Sequence, residues 1–138
     1  MEEFIPLFNQ IYQTISSGAE TVTFNYESHL SQTDFALLLK NNLTKDIYTA
    51  RTNYGIHKDD LQFNLGEFPL KKYGSQGQQK SYVIALKLAH YSFLNAKKGY
   101  KPILMLDDIF DKLDEQRIRK LLAMVSEDSF GQLFITDT

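Results

Sequence analysis

Three features of this 138-residue chain predict an α/β fold. Its C-terminal part reads strand, helix, strand, an order that closes with a right-handed parallel crossover. The run Ile103-Leu104-Met105-Leu106 is continuously apolar, as in a parallel-sheet strand buried on both faces. Segments of helical period precede and follow that run. With 43% hydrophobic and 23% charged residues the chain can bury a core, and a disordered or collagen-like class is excluded. No repeat, low-complexity tract or Pro/Gly/Ser-rich linker interrupts it, so one unit over residues 1–138 is expected.

The elements follow in order. Phe4, Leu7, Phe8, Ile11, Tyr12 and Ile15 recur at a helical period, and Ser16-Ser17-Gly18 supplies the stop. Thr21–Tyr26 alternates β-branched and aromatic residues and reads as a strand. A helix over about 31–50 would carry Phe35, Leu38, Leu39, Leu43 and Ile47 on one side, with Ser31 as N-cap. Short strands at Leu61–Leu65 and Phe68–Tyr73, joined by Gly66-Glu67, form a hairpin candidate. From Gln76 to about Ala96 helix formers dominate, with Ile84, Leu88 and Tyr91 on one stripe widened by Val83, Leu86 and Leu94. Lys97-Lys98-Gly99 ends that helix with cations and glycine. Beyond the apolar strand, Asp114 can cap a helix whose Ile118, Leu121, Leu122 and Val125 fit a core-facing stripe, and Gln132–Thr136 is a last strand.

Composition also narrows the chemistry. The longest apolar runs fall well short of the ~18 residues that span a bilayer, and Met1-Glu2-Glu3 is the opposite of a basic signal start, so a cytoplasmic, non-membrane protein is expected. Zero cysteines exclude disulfides and thiolate chemistry, and the scattered His29, His57 and His90 leave any metal to oxygen ligands. His90 reads as a satisfied interior or boundary residue, and His57 beside Asp59 and Asp60 as local hydrogen bonding in a turn. The net charge of -2 conceals seven lysines and no acid between residues 71 and 101. That stretch is either a set of solvated helix faces or an anion-facing patch.

Two constellations can carry chemistry. Asp107-Asp108 follows the apolar strand directly, and open α/β sheets bind ligands at the carboxyl ends of their strands. Asp107 suits Mg²⁺, which takes one or two carboxylates beside substrate phosphates, and Asp108 suits orientation or deprotonation of a water. Solvated acids at a strand end are the alternative. About thirty residues earlier, Gly74-Ser75-Gln76-Gly77-Gln78-Gln79-Lys80 opens the long helix, where free N–H groups bind anions and Gly77 allows close backbone approach. Ser75-Gln76-Gly77-Gln78 equally fits a capping box that needs no ligand.

This ordered set, with Asp111-Lys112-Leu113-Asp114 behind it, resembles the ABC-type ATPase head and, within it, the RecF family. Gly74–Lys80 stands at the family's signature, Ile103–Asp108 at its Walker B strand, Asp111–Asp114 at its D-loop, and His57-Lys58-Asp59-Asp60-Leu61 at its His-Arg-Asp-Asp-Leu stretch. The resemblance is weak over 1–50, the tail of an arm-proximal helical region, and strong from 55 to 115, inside the signature, Walker B and D-loop region 51–138, and it corresponds to roughly the C-terminal third of such a protein. It implies the C-terminal part of an ATPase head with mainly parallel core strands flanked by helices. It further implies that Ser75, Gln76, Gly77 and Gln78 meet the γ-phosphate of ATP held by the opposing subunit, that Asp107 serves Mg²⁺ and Asp108 the hydrolytic water, and that Asp111 and Asp114 make contacts across an ATP-dependent homodimer. The implied biology is DNA replication, repair, recombination and the SOS response: a dimer on duplex DNA near single-strand gaps that, with RecO and RecR, aids recombinase loading.

Two departures stand out. No G-x-x-x-x-G-K followed by Ser or Thr occurs, so the chain carries no Walker A loop and is expected to be inactive alone. After the last strand the usual switch histidine is replaced by Thr136-Asp137-Thr138, which makes Thr136 or Asp137 the candidate γ-phosphate sensor. The alternatives are a non-catalytic phosphate- or DNA-binding module and a head of another SMC-like ATPase.

Overall fold

The first apolar period becomes α1 (Phe4–Ser16), and Ser17 in the left-handed region ends it, with the Gly18 N–H returning to the Gln13 carbonyl at 2.9 Å. A computed structural model describes residues 2–126 and 130–137. After α1 come β1 (Val22–Glu27), α2 (Phe35–Thr49), β2 (Asp60–Leu65), β3 (Phe68–Pro69) and the one-turn α3 (Leu70–Tyr73). The 23-residue α4 (Gln76–Lys98), β4 (Leu104–Leu106), α5 (Glu115–Val125) and β5 (Leu133–Ile135) complete the order. Strands β1, β2 and β3 form one sheet in that order, with β2 and β3 antiparallel through Asn64 opposite Pro69 and Leu65 opposite Phe68. Strands β4 and β5 form a second, parallel pair, registering Leu104 with Leu133 and Leu106 with Ile135.

The chain divides into two units, Met1–Thr23 with Asn64–Thr138, and Phe24–Phe63. The first holds a continuous core. Phe8 and Tyr12 of α1 stack against Tyr82 of α4, with ring centroids 4.7 Å and 5.8 Å away, a geometry that adds aromatic attraction to burial. The Tyr82 hydroxyl donates to the Thr23 carbonyl at 2.9 Å, so its polar end is satisfied inside the core. Ile84, Ala85 and Leu88 of α4, Leu121 and Val125 of α5, and Leu104, Leu106 and Ile109 around β4 fill the rest. Helix α4 runs from a capping box at Ser75 to a left-handed Gly99, as its sequence predicts.

Four expectations change. Strand β4 is buried on one face only: Leu104 and Leu106 are covered while Met105 is 71% exposed, because among the described residues no layer packs on the face that Met105 occupies. The predicted strand at Phe68–Tyr73 stops at Pro69, whose ring nitrogen has no hydrogen to extend a ladder, and the chain turns into α3. Helix α2 is capped by Asp34, whose Oδ1 accepts from the Leu37 N–H at 3.1 Å, whereas Ser31 closes the preceding 3₁₀ turn by donating to the Ser28 carbonyl at 2.7 Å. His90 is exposed on the outer side of α4, as is Val83.

In the smaller unit α2 buries none of its residues, and Phe35, Leu43 and Ile47 of the predicted stripe are exposed. Local polar bonds shape its exit instead. The Asp46 carboxylate accepts from both the backbone and side-chain N–H of Asn53, at 3.0 and 2.9 Å, which holds it below the usual carboxylate range. His57 bonds the Thr52 carbonyl at 2.9 Å through Nε2, and Asp59 accepts from the Tyr26 hydroxyl, which lowers its pKa.

Candidate functional site

The carboxyl end of β4 and the start of α4 converge. At α4 the capping box closes reciprocally: the Ser75 Oγ accepts from the Gln78 N–H at 3.2 Å, and the Gln78 Oε1 accepts from the Ser75 N–H at 2.8 Å. Of the four amides that a helix start leaves without intrahelical acceptors, the box uses those of Ser75 and Gln78, so an anion here would meet those of Gln76 and Gly77. Gly77 is required by packing within the chain. A Cβ at this position would lie 2.9 Å from the Lys112 carbonyl oxygen, so the helix start and the Asp111–Asp114 segment touch through backbone.

At the strand end, Asp107 is exposed and Asp108 half-buried, with Asp108 in the left-handed region at φ 48°. Two neighbours fix this turn. The Lys80 Nζ donates to the Asp108 carbonyl at 2.5 Å, tying α4 to the end of β4. Thr136 follows β5, and its backbone N–H donates to the Leu106 carbonyl at 3.0 Å, extending the parallel ladder by one step. Its hydroxyl donates to the Asp107 carboxylate and accepts from the Asp108 N–H at 3.1 Å. One side chain therefore orients the carboxylate and the turn behind it. Asp137 is exposed, and Thr138 lies outside the described residues.

A cleft of about 310 Å³ opens between these parts, lined by Gln76, Lys80, Val83, Leu106, Asp107 and Lys112 among others. The structure thus brings Gln76 and Asp107, predicted from segments thirty-one residues apart, to one cavity. Ser75 and Gln78 face each other in the cap rather than the cleft. Asp111 pairs with Lys112 at 2.9 Å in an exposed bridge of little energetic weight. Asp114 caps α5, its Oδ1 accepting from the Arg117 N–H at 2.9 Å, and that backbone bond lowers its pKa.

Arg117 and Glu20 are participants that sequence reasoning did not single out, and Lys80, named within the Gly74–Lys80 segment, gains its bond to the Asp108 carbonyl only from the fold. Arg117 stands three residues after a predicted cap, which is a usable signal. Glu20 is a solitary acid before β1 and carries none. Among the described residues no group of three or more His, Asp or Glu side chains could hold a metal ion. The Asp107 carboxylate at the cleft and the Thr136 hydroxyl bonded to it are a hard-oxygen pair, a donor set that fits Mg²⁺, which keeps most of its waters.

No protein-family model matches the chain. Among curated proteins, the DNA replication and repair protein RecF of Flavobacterium johnsoniae is 55% identical over 138 residues, covering 100% of this chain and 38% of the relative. The RecF protein of Parabacteroides distasonis is 49% identical over the same length, again 38% of the relative. The chain belongs to the RecF family. It spans 38% of the length of these curated relatives and corresponds to the C-terminal portion of RecF. A solved structure of the recombination mediator RecF with ATP, from the RecFOR pathway, superposes with a TM-score of 0.71 at 26% identity over 99% of this chain and 38% of that one. A second RecF structure, with ATPrS, superposes with a TM-score of 0.74 at 24% identity over the same shares and shows the fold. The fold is α/β with a parallel strand pair, and it matches that of the solved RecF over 38% of that chain. No helix among the described residues is long and apolar enough to cross a membrane.

Proposed function

We propose that this chain is the part of a cytoplasmic RecF-like DNA replication and repair ATPase that completes a nucleotide site in an ATP-dependent homodimer. Residues 51–138 supply the signature, Walker B and D-loop elements, and residues 1–50 belong to the arm-proximal side. The observations that carry this reading are the Asp107 carboxylate at the end of β4, oriented by the Thr136 hydroxyl, and the capped start of α4, whose Gln76 and Gly77 amides are left for an anion. The likeness to RecF solved with ATP supports the choice of nucleotide.

In this reading the Gln76 and Gly77 amides, backed by the Ser75–Gln78 cap, receive the γ-phosphate of a nucleotide bound by the opposing subunit. Asp107 would hold Mg²⁺, with the Thr136 hydroxyl as its neighbour. When bound, Mg²⁺ offsets phosphate charge. Asp108, held by Lys80 through its carbonyl, orients the attacking water and takes its proton. Asp111 and Asp114 contact the second subunit. The chain contains no Walker A sequence, so this reading assigns it half of each site and no turnover alone. Binding of duplex DNA near gaps and cooperation with RecO and RecR in recombinase loading belong to the complete protein.

The test uses the full-length protein. Asp108→Asn should leave ATP-dependent dimerisation intact while lowering turnover by about 100-fold or more, the usual scale of general-base loss. Unchanged turnover removes Asp108 from this role. Lys80, Lys87 and Lys112 around the cleft favour a second reading, a non-catalytic phosphate- or DNA-binding module. Binding that needs no Mg²⁺ and survives loss of Asp107 and Asp108 would select it.

A further inference from the structure

The geometry points to Arg117, held by Glu20, as a positioning residue that fastens the Ser75–Gln78 helix start to the Asp111–Asp114 segment, so that both meet the opposing subunit as one surface. The inference rests on the reading of those two segments as dimer-contacting elements. Arg117 lies in the first turn of α5, and its guanidinium is shared among three partners. Its Nε donates to the Asp114 Oδ2 at 3.1 Å, its Nη1 to the Oγ of the fully buried Ser81 at 2.9 Å, and its Nη2 to the Glu20 Oε1 at 2.5 Å. Glu20, in the turn between α1 and β1, also accepts from the Gln78 Nε2 at 3.1 Å and from the Tyr12 hydroxyl. Gln78 is the residue that closes the α4 cap on Ser75. Side-chain bonds therefore run from Asp114 through Arg117 and Glu20 to Gln78, whose Oε1 accepts from the Ser75 backbone N–H.

Stability alone does not account for this arrangement. The Arg117 and Glu20 side chains are only 14% and 13% exposed, and a desolvated ion pair is often matched or bettered by apolar residues of similar volume. Arginine here uses the fork that lysine lacks: one planar group reaches a helix cap, a buried hydroxyl and a carboxylate at once. Every partner except Ser81 and Tyr12 belongs to, or directly holds, one of the two segments. The Gly77–Lys112 backbone approach supplies a second contact between the same two segments.

The experiment measures, in the full-length protein, ATP binding by single subunits, the dimer dissociation constant in the presence of ATP, and kcat, for wild type, Arg117→Met and Ser75→Arg. Arg117→Met should weaken the ATP-bound dimer by about tenfold and lower kcat in step, while subunit affinity for ATP stays within about twofold. A purely structural loss would instead weaken subunit ATP binding, dimerisation and kcat together, in step with the folded fraction. Should Arg117→Met not fold, Arg117→Lys is measured, and a smaller weakening of the same sign, again without loss of subunit ATP affinity, is expected. If Ser75→Arg abolishes the dimer while a folded Arg117 variant keeps wild-type dimerisation and kcat, this inference alone fails. If Ser75→Arg also dimerises normally, the reading of the signature fails and the inference with it.

Discussion

In the unit formed by Met1–Thr23 and Asn64–Thr138, apolar periodicity and burial coincide: Phe8, Tyr12, Leu88 and Leu121 occupy their predicted stripes and are sealed. In Phe24–Phe63 they part. Helix α2 has an equally regular stripe, yet none of its residues is buried and Ile47 is 71% exposed. Around α2 the local ties are polar, the Asp34 cap, the Asp46–Asn53 bonds and the His57–Thr52 bond, while the buried Phe24 packs edge-on against Phe63 in the strands. Period therefore reports that a helix will form and which face is apolar. It does not report what covers that face.

Core truncation should break this contrast most forcefully. Leu88→Ala removes a fully buried side chain and should cost about 2–5 kcal/mol by urea unfolding. Next in size is the network around Glu20. Burial by itself would raise the Glu20 pKa, but hydrogen bonds from Tyr12, Arg117 and Gln78 outweigh it and hold the carboxyl below its usual value. A depressed folded pKa means the stabilisation is present above the unfolded value and is lost as pH falls through the folded one. Glu20→Ala should cost roughly 3 kcal/mol at neutral pH, because it leaves Arg117 desolvated without its carboxylate. Glu20→Gln should flatten the acid side of the stability profile, and an unchanged acid limb would show that Glu20 is not bound as described.

Smaller effects sharpen the other half of the comparison. Asp34→Ala should cost about 1 kcal/mol, the ordinary value of an N-cap, read as a shift in the unfolding midpoint. Ile47→Ala should change stability by no more than about 0.5 kcal/mol, since the residue is exposed and alanine is the better helix former. A loss above ~1.5 kcal/mol at Ile47 would mean that the α2 face is covered in solution.

Legibility in the sequence followed the range of the interactions. Ser75, Gly99 and Asp114 act within a few residues of themselves, so their capping roles could be read directly. Asp34 was equally local, but Ser31 offered a competing cap and the intervening 3₁₀ turn decided between them. The partial exposure of β4 was not legible, because a continuous apolar run states what a strand tolerates rather than which neighbours it has. At the candidate site the strand-end acids and the helix start were visible, and Thr136 was visible as the residue after the last strand. Its bond to Asp107, and the 97-residue span between Glu20 and Arg117, come from tertiary closure that no periodicity encodes.

The central claim is that the Ser75–Gln78 start serves a site whose Asp107 and Asp108 come from the other subunit. Steady-state Mg²⁺-dependent ATP hydrolysis by full-length Ser75→Arg, by full-length Asp108→Asn and by their equimolar mixture tests it directly. Each variant alone should be inactive, while the mixture should recover activity, up to roughly a quarter of the wild-type value, because a mixed dimer keeps one intact composite site and fully random pairing would place half of the dimers in that form. A mixture as inactive as its parts would contradict a shared site.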